Sequence, residues 1–243
     1  MHSEIFPYIG AFIVGFGKAG FASGISLLQT PLIAYGVPTA RTAIGMVLPL
    51  LIVADFMTVG AYWKKWDLRL IYWPLAGCIL GIAIGMLYVN TMSDKWLRHS
   101  LGYLALFLTA LLLIRDIWYP AKTYRPSWWH GALVGTLAGF SSTLAHAAGP
   151  VMALFFIAQK LDKRIFVATN AIFFLLMNLF KLPPYISSGL IDGAILKADL
   201  KLLPMLPLGI AVGWGLNRLV PQKYFAYVVY VLLIVTGVDL VLK

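Results

Sequence analysis

The stretch 139–150 (GFSSTLAHAAGP) places glycines, hydroxyl side chains, a histidine and a proline in the middle of a long apolar segment. A related pattern occurs near the start of the chain, where Gly20-Phe21-Ala22-Ser23 and Pro31 match Gly139-Phe140-Ser141-Ser142 and Pro150 at a constant offset of 119 residues. Irregular backbone at membrane depth is tolerated only where it is buried in protein or lines a cavity. The two stretches therefore predict a pair of broken helices at the centre of a membrane transporter.

The composition indicates an integral membrane protein. Of 243 residues, 61% are hydrophobic and 12% are charged, whereas soluble domains carry about 25% charged residues. The net charge of +10 lies in short groups between apolar runs, which is typical of membrane loops and not of a nucleic-acid-binding patch. The only cysteine, Cys78, excludes a disulfide framework and a cysteine metal cluster, and no cofactor is predicted. The first seven residues lack positive charge, so no signal peptide is predicted.

Apolar runs long enough to cross a bilayer core of about 30 Å divide the chain into eight segments. They cover 7–35, 39–62, 70–89, 97–114, 128–158, 166–188, 200–216 and 224–242. The segments form two groups of four, which predicts a first repeat at 1–115, a linker at 116–127 and a second repeat at 128–243 within one membrane domain. The predicted fold is an all-α polytopic membrane protein built from these two repeats, with segments one and five broken or re-entrant.

Segments one and five are about 30 residues long, so each is either a tilted, broken span or a hairpin that leaves on the side it entered. If both span, the lysines and arginines are nearly balanced across the membrane. If both are hairpins, one side collects eleven basic residues and the other six, which satisfies the positive-inside rule with both termini outside. We favour the hairpins, and since each half then has three true spans, the repeats are predicted to be inverted.

Several motifs resemble one known family. The first half has 15–26 (GFGKAGFASGIS), Pro31-Leu32, Leu48-Pro49-Leu50 with Asp55, and 62–67 (YWKKWD). The second half has 138–150, 159–163 (QKLDK), Thr169-Asn170, Asn178 and 181–185 (KLPPY). With these motifs the chain resembles the sulfite exporter TauE/SafE family of anion permeases over nearly its whole length. The resemblance implies transport of sulfite, sulfoacetate or another sulfur-containing or organic anion. Many members have three consecutive glycines where this chain has Gly24-Ile25-Ser26, a departure that predicts a less free approach of the backbone to a ligand and leaves the substrate within this class open.

An anion inside a membrane needs hydrogen-bond donors and positive charge, and the N-termini of half-helices supply both. The predicted substrate-binding residues are polar groups in or beside the broken segments and in segment six: Lys18, Ser23, Ser26, Gln29, Ser141, Ser142, Thr143, His146, Asn170, Asn178 and Lys181. The alternatives are that the serines and glycines pack helices, that the lysines snorkel to an interface, and that His146 is a satisfied core residue. Asp55 is predicted either to carry a coupling proton or to pair with Lys18.

The leading functional prediction is a secondary carrier in the cell (inner) membrane that works by alternating access between the two repeats, with the bilayer and a small anion as partners and no nucleic acid. Proton coupling through Asp55 or His146 and homodimerisation through glycine faces are left open. The rival functions are an anion channel or a permease for organic carboxylates. A membrane-embedded enzyme using Ser142 and His146, four residues apart on a helix, is a further rival, although the chain shows no metal motif or carboxylate pair.

Overall fold

The computed structural model describes residues 5–18, 25–118, 126–157, 159, 161–219 and 222–242, and all regular structure in these residues is helical. The described residues form eleven α-helices: α1 Ile5–Lys18, α2 Gln29–Gly36, α3 Ala40–Ala61, α4 Tyr72–Thr91, α5 Asp94–Trp118, α6 Trp128–Ala145, α7 Ala148–Ile157, α8 Lys163–Ser187, α9 Gly193–Leu202, α10 Met205–Leu219 and α11 Gln222–Leu242. Two short 3₁₀ turns, Ile25–Leu28 and Leu68–Leu70, precede α2 and α4. The predicted all-helical class is confirmed.

The helices have the length and surface of membrane spans. Among the described residues, four helical stretches are long and apolar enough to cross a bilayer, within α3, α4, α5 and α8. Helix α4 is an example, since Ile79, Leu80, Ile84 and Leu87 on its outward face are all exposed. A soluble helix would carry polar residues on that face, so a face that remains apolar away from the core is suited to lipid.

The first predicted segment is an antiparallel hairpin. The rings of Phe6, near the start of α1, and Tyr35, near the end of α2, lie 5.6 Å apart between centroids. Deeper in the pair, a Cβ on Gly10 would collide with Ile33, and Gly17 lies beside the 3₁₀ turn that leads into α2. The chain therefore returns towards the level at which it entered.

The fifth predicted segment folds back in the same way. Helix α6 ends at Ala145 and α7 begins at Ala148. Trp128 at the start of α6 and Phe155 near the end of α7 line the same cavity of about 440 Å³, so the two ends of the hairpin lie together. Its turn is formed by His146 and Ala147, deep inside the protein, where both residues are buried.

Each hairpin packs tightly against a helix from the opposite half of the chain. Helix α6 runs along α4, where a Cβ on Gly135 would lie 1.9 Å from the Pro74 carbonyl oxygen and one on Gly77 would lie 1.9 Å from that of Ala132. Helix α10 contacts α1 in the same manner, since a Cβ on Gly15 would lie 2.2 Å from the carbonyl oxygen of Leu206. Only glycine permits these backbone contacts, which is a common basis of helix association in membranes.

Helix α5 holds the base of the first hairpin. Arg98 donates to the carbonyl oxygens of Ala34 at 3.0 Å and Pro38 at 2.8 Å, and also bonds to Asp94 at 3.0 Å. Asp94 in turn accepts the backbone N–H of Ala40, the first residue of α3, at 2.6 Å. A cation at the C-terminal end of α2 and an anion at the N-terminus of α3 both match the helix dipoles.

The predicted boundary of the seventh segment is wrong. The sequence analysis began that segment at residue 200, but residues up to Leu202 belong to the separate helix α9, and the apolar helix α10 starts at Met205. The cap at Asp192, whose carboxylate accepts the Ile195 N–H at 2.8 Å, gives α9 its own N-terminus. Hydropathy alone does not separate the two helices because apolar residues continue across the junction.

Candidate functional site

The two hairpins meet deep in the bundle. Thr30 Oγ1, in the first turn of α2, donates to the carbonyl oxygen of Ala145 at 2.8 Å. Gln29 Nε2 donates to the carbonyl oxygen of His146 at 3.3 Å. Both side chains are buried, so the first hairpin satisfies backbone acceptors at the turn of the second.

His146 terminates α6 with a left-handed backbone. Its φ is +52°, a conformation that non-glycine residues seldom adopt and that commonly ends helices. The His146 N–H donates to the Ser142 carbonyl oxygen at 2.9 Å, and the Ala147 N–H donates to the Ser141 carbonyl oxygen at 3.3 Å. This turn reverses the chain, so that the C-terminus of α6 and the N-terminus of α7 lie side by side.

Lys181 on α8 is fully buried against this turn. Its ammonium group contacts three acceptors: Ser142 Oγ at 2.8 Å, His146 Nδ1 at 2.9 Å and the Ser142 carbonyl oxygen at 3.4 Å. A lysine ammonium has three protons to donate, so its hydrogen bonding is saturated. The side chain does not snorkel, and the alternative that it reaches an interface is wrong for this structure.

The ring of His146 is held on both nitrogens. Nε2 lies 2.9 Å from the carbonyl oxygen of Ile44 on α3, which can only accept, and so Nε2 carries the proton. Nδ1 then accepts from Lys181. The contacts assign a neutral histidine that connects α3 to α8 through the hairpin turn.

The last turn of α6 is capped by side chains from other helices. Tyr185, one turn beyond Lys181 on α8, donates from its hydroxyl to the Thr143 carbonyl oxygen at 2.8 Å. With Thr30, Gln29 and Lys181, it supplies partners for carbonyl oxygens that a helix end otherwise leaves unpaired. A cation is also favourable at a helix C-terminus, which helps a lysine to remain buried there.

A second polar cluster lies at Asn178, one turn before Lys181 on α8. Asp55 on α3 is fully buried, forms an ion pair with Lys18 at the end of α1, and accepts a hydrogen bond of 2.6 Å from Asn178. The Lys18 ammonium also stands 5.2 Å from the centre of the Phe174 ring. Of the two alternatives for Asp55, the structure contains the ion pair with Lys18, while proton carriage stays a prediction.

The structure gathers some predicted site residues and separates others. Gln29, Ser142, His146 and Lys181 converge at the hairpin turn, and Lys18, Asp55 and Asn178 form the second cluster. The hydroxyls of Ser141 and Thr143 are buried but donate back into α6, to the carbonyl oxygens of Ala138 and Gly139. Their part in substrate binding stays a prediction.

Three further predicted residues lie outside these clusters. Asn170 is half-buried on α8, two turns from Asn178, and its Oδ1 has no hydrogen-bond partner. Ser26 is half-buried beside Gly17. Ser23 lies outside the described residues.

The predicted Ser142 and His146 pair is not arranged as a nucleophile and a base. Both Ser142 Oγ and His146 Nδ1 lie within 2.9 Å of the Lys181 ammonium, which stands between them as a shared donor. A general base must accept the proton of the nucleophile, and here its free nitrogen is occupied by a cation.

The sequence analysis did not assign Tyr185 to the site, and Thr30 was expected only to line the same cavity as Gln29 and Asn170. Tyr185 follows Lys181 by four residues, which places the two on one face of α8. That spacing was a usable signal for Tyr185. The role of Thr30 depends on the meeting of two hairpins separated by more than a hundred residues, for which a single sequence gives no local signal.

Comparison with known proteins gives one match. A family model described as Sulfite exporter TauE/SafE matches residues 8–240. The match covers almost the whole chain and confirms the resemblance derived from the motifs. No curated protein and no solved structure matches the chain.

Proposed function

Because the chain belongs to the sulfite exporter TauE/SafE family, a family of membrane transporters, we propose that it is a secondary transporter for a small sulfur-containing anion such as sulfite or sulfoacetate. The observation that carries this proposal is the buried turn of the second hairpin, where Lys181 binds Ser142 and His146 between the two halves of the chain. The Lys181 ammonium and the Ser142 hydroxyl at this turn form a chemically suitable cradle for an oxyanion.

The mechanism we propose is alternating access, in which the two repeats move around this site. The packing of α1 against α10 and of α4 against α6 supports this proposal, because each hairpin packs on a helix from the other half of the chain. Since those contacts are made by backbone atoms at glycines, we expect each hairpin to move together with its partner helix from the other half.

We also propose an orientation in the cytoplasmic membrane. With both hairpins re-entrant, one side holds Lys64, Lys65, Arg69, Arg115, Lys122, Arg125, Lys160, Lys163, Arg164, Arg218 and Lys223. The other side holds Arg41, Lys95, Arg98, Lys197, Lys201 and Lys243. The excess of basic residues identifies the first side as cytoplasmic, so both termini lie outside.

For coupling, we propose Asp55 as the proton carrier. Protonation of the Asp55 carboxylate would remove the negative charge that pairs with Lys18. The C-terminal end of α1 would then be released from α3. The equilibrium between two arrangements of the hairpin would then depend on the protonation of one residue.

Transport in proteoliposomes tests the proposal. The wild-type protein should take up labelled sulfite or sulfoacetate with saturation and counterflow, which a channel does not show. Lys181→Met should lower uptake at least tenfold because it removes the buried cation, whereas Lys197→Met, at an exposed lysine on α9, should leave uptake unchanged. Flux that rises linearly with substrate, or equal uptake by Lys181→Met, would contradict a carrier with this site.

A further inference from the structure

The formal charges deep inside the bundle do not cancel. Among the described residues, the amino and carboxyl side chains that meet between the two hairpins are Lys18, Asp55 and Lys181. Residues 19–24 (AGFASG), which lie outside the described residues, contain no ionisable side chain in the sequence. One carboxylate therefore faces two ammonium groups.

The ion pair accounts for only one of the two lysines. Lys18 contacts Asp55 directly, and the second carboxylate oxygen of Asp55 is occupied by Asn178. The three acceptors of Lys181 are a hydroxyl, a carbonyl and an imidazole, all of them neutral. Lys181 thus retains one formal positive charge that no anionic group in direct contact balances.

Helix dipoles do not supply the missing negative charge. The C-terminus of α6 contributes partial negative charge at His146, and the N-terminus of α7 contributes partial positive charge two residues later. The two partial charges are of similar size and lie at the same turn, so they largely offset each other. A mobile anion is the remaining source of compensation.

Resting on the proposed function, we infer that the transported form of the substrate carries a single negative charge, which among the anions named above selects hydrogensulfite over sulfite and over the dianion sulfoacetate. A monoanion beside Lys181 gives the occluded site a net charge of zero, whereas a dianion leaves one uncompensated negative charge in a medium of low dielectric constant, which is costly. The Ser142 carbonyl, at 3.4 Å, is the weakest partner of the ammonium and is the one we expect an oxyanion to replace.

The test compares two small molecules that share a sulfonate group and differ in net charge. Isethionate carries one negative charge, on its sulfonate. Sulfoacetate has the same sulfonate, and a carboxylate with a second negative charge takes the place of the hydroxymethyl group. Binding of each to the detergent-purified full chain is measured by calorimetry at pH 6, where both sulfonates keep their charges. The inference predicts that isethionate binds at least tenfold more tightly, and equal or tighter binding of sulfoacetate would overturn it.

Charge variants sharpen the test. Asp55→Asn raises the net charge of the site to two positive charges, so the preference should reverse towards sulfoacetate. The double variant Lys18→Met/Asp55→Asn removes the ion pair as a unit and leaves the net charge at one, so it should keep the wild-type preference. If Asp55→Asn does not fold, the double variant still shows whether the preference depends on the net charge of the site or on the ion pair. A preference that depends on the ion pair itself would disappear in the double variant.

Failure of the inference is distinguishable from failure of the proposed function. If both anions bind, both depend on Lys181, and the dianion binds as well as the monoanion, the anion site stands and the charge rule is wrong. If neither sulfonate binds, and sulfite and simple carboxylates also fail to bind, the proposed anion site is wrong and the charge rule falls with it.

Discussion

Asn178 on α8 donates a hydrogen bond of 2.6 Å to the Asp55 carboxylate on α3, and this bond joins the second half of the chain to the first. Asp55 from the first half and Asn178 from the second half thus face each other, and only Asp55 can carry a charge. Lys18 from the first hairpin completes this cluster. The arrangement gives the centre of the bundle a polar contact that depends on all three residues.

The first prediction concerns this cluster. Asp55→Asn should lower the free energy of unfolding by about 3 kcal/mol, since removing one member of a buried pair leaves Lys18 charged without its partner. The double variant Lys18→Met/Asp55→Asn should recover most of the loss, because neither charge then remains. Thermal denaturation in one detergent gives the coupling between the two positions. If the losses of the two single variants simply add in the double variant, the ion pair contributes nothing.

The second prediction tests the contact between α4 and α6. Gly135→Ala should lower the melting temperature and destabilise by about 2 kcal/mol, because the added Cβ would lie 1.9 Å from the Pro74 carbonyl oxygen. Gly60→Ala on α3 is the matched control, since no atom lies within 4 Å of its Cβ position. The control should be neutral or stabilising by up to about 1 kcal/mol. Equal melting temperatures for the two variants would show that the helices are not in close contact.

The third prediction concerns pH. Asp199 on α9, which lies between α8 and α10 in the chain, is buried, and neither of its carboxylate oxygens has a hydrogen-bond partner among the described residues. Burial raises the pKa of Asp199 to about 8. The folded state therefore holds a proton that the unfolded state releases above a pKa of about 3.9, so stability falls as pH rises between these two values.

Asp199→Asn should remove this contribution. The melting temperature of the wild type should fall more steeply than that of the variant between pH 5 and pH 8, and above pH 8 the two curves should run parallel. Because other groups titrate in both proteins, only the difference between the two curves is diagnostic. A difference that does not change with pH would mean that Asp199 ionises normally in the folded state.

The fourth prediction concerns the path of the first hairpin. Cys78 is buried, so Cys78→Ala provides a background for single introduced cysteines. Cysteines at Ile5 and Pro38, which are exposed at the two ends of the hairpin, should react with an impermeant maleimide from the same side of the membrane. A cysteine at the exposed Lys64 should react from the opposite side. Labelling of Ile5 and Pro38 from opposite sides would require a spanning segment.

Much of the architecture could be predicted from local sequence because membrane insertion imposes its constraints segment by segment. Long apolar runs identified the helices α3, α4, α5 and α8, since each must satisfy its own backbone in lipid. The glycines, serines and prolines at 139–150 identified the interruption that the structure places at His146. The buried acid at Asp55 was recognisable because a charge in an apolar run needs a partner.

The contacts of the candidate site were decided by tertiary structure. Lys181 could have reached an interface, and what keeps it buried is a hairpin turn that supplies three acceptors from 35 to 39 residues away in the chain. Thr30 and Gln29 bond to that same turn from more than a hundred residues away. Sequence determined which segments enter the membrane because burial in lipid is a local requirement, whereas hydrogen bonds between segments depend on how distant helices pack, and only the folded chain decided those.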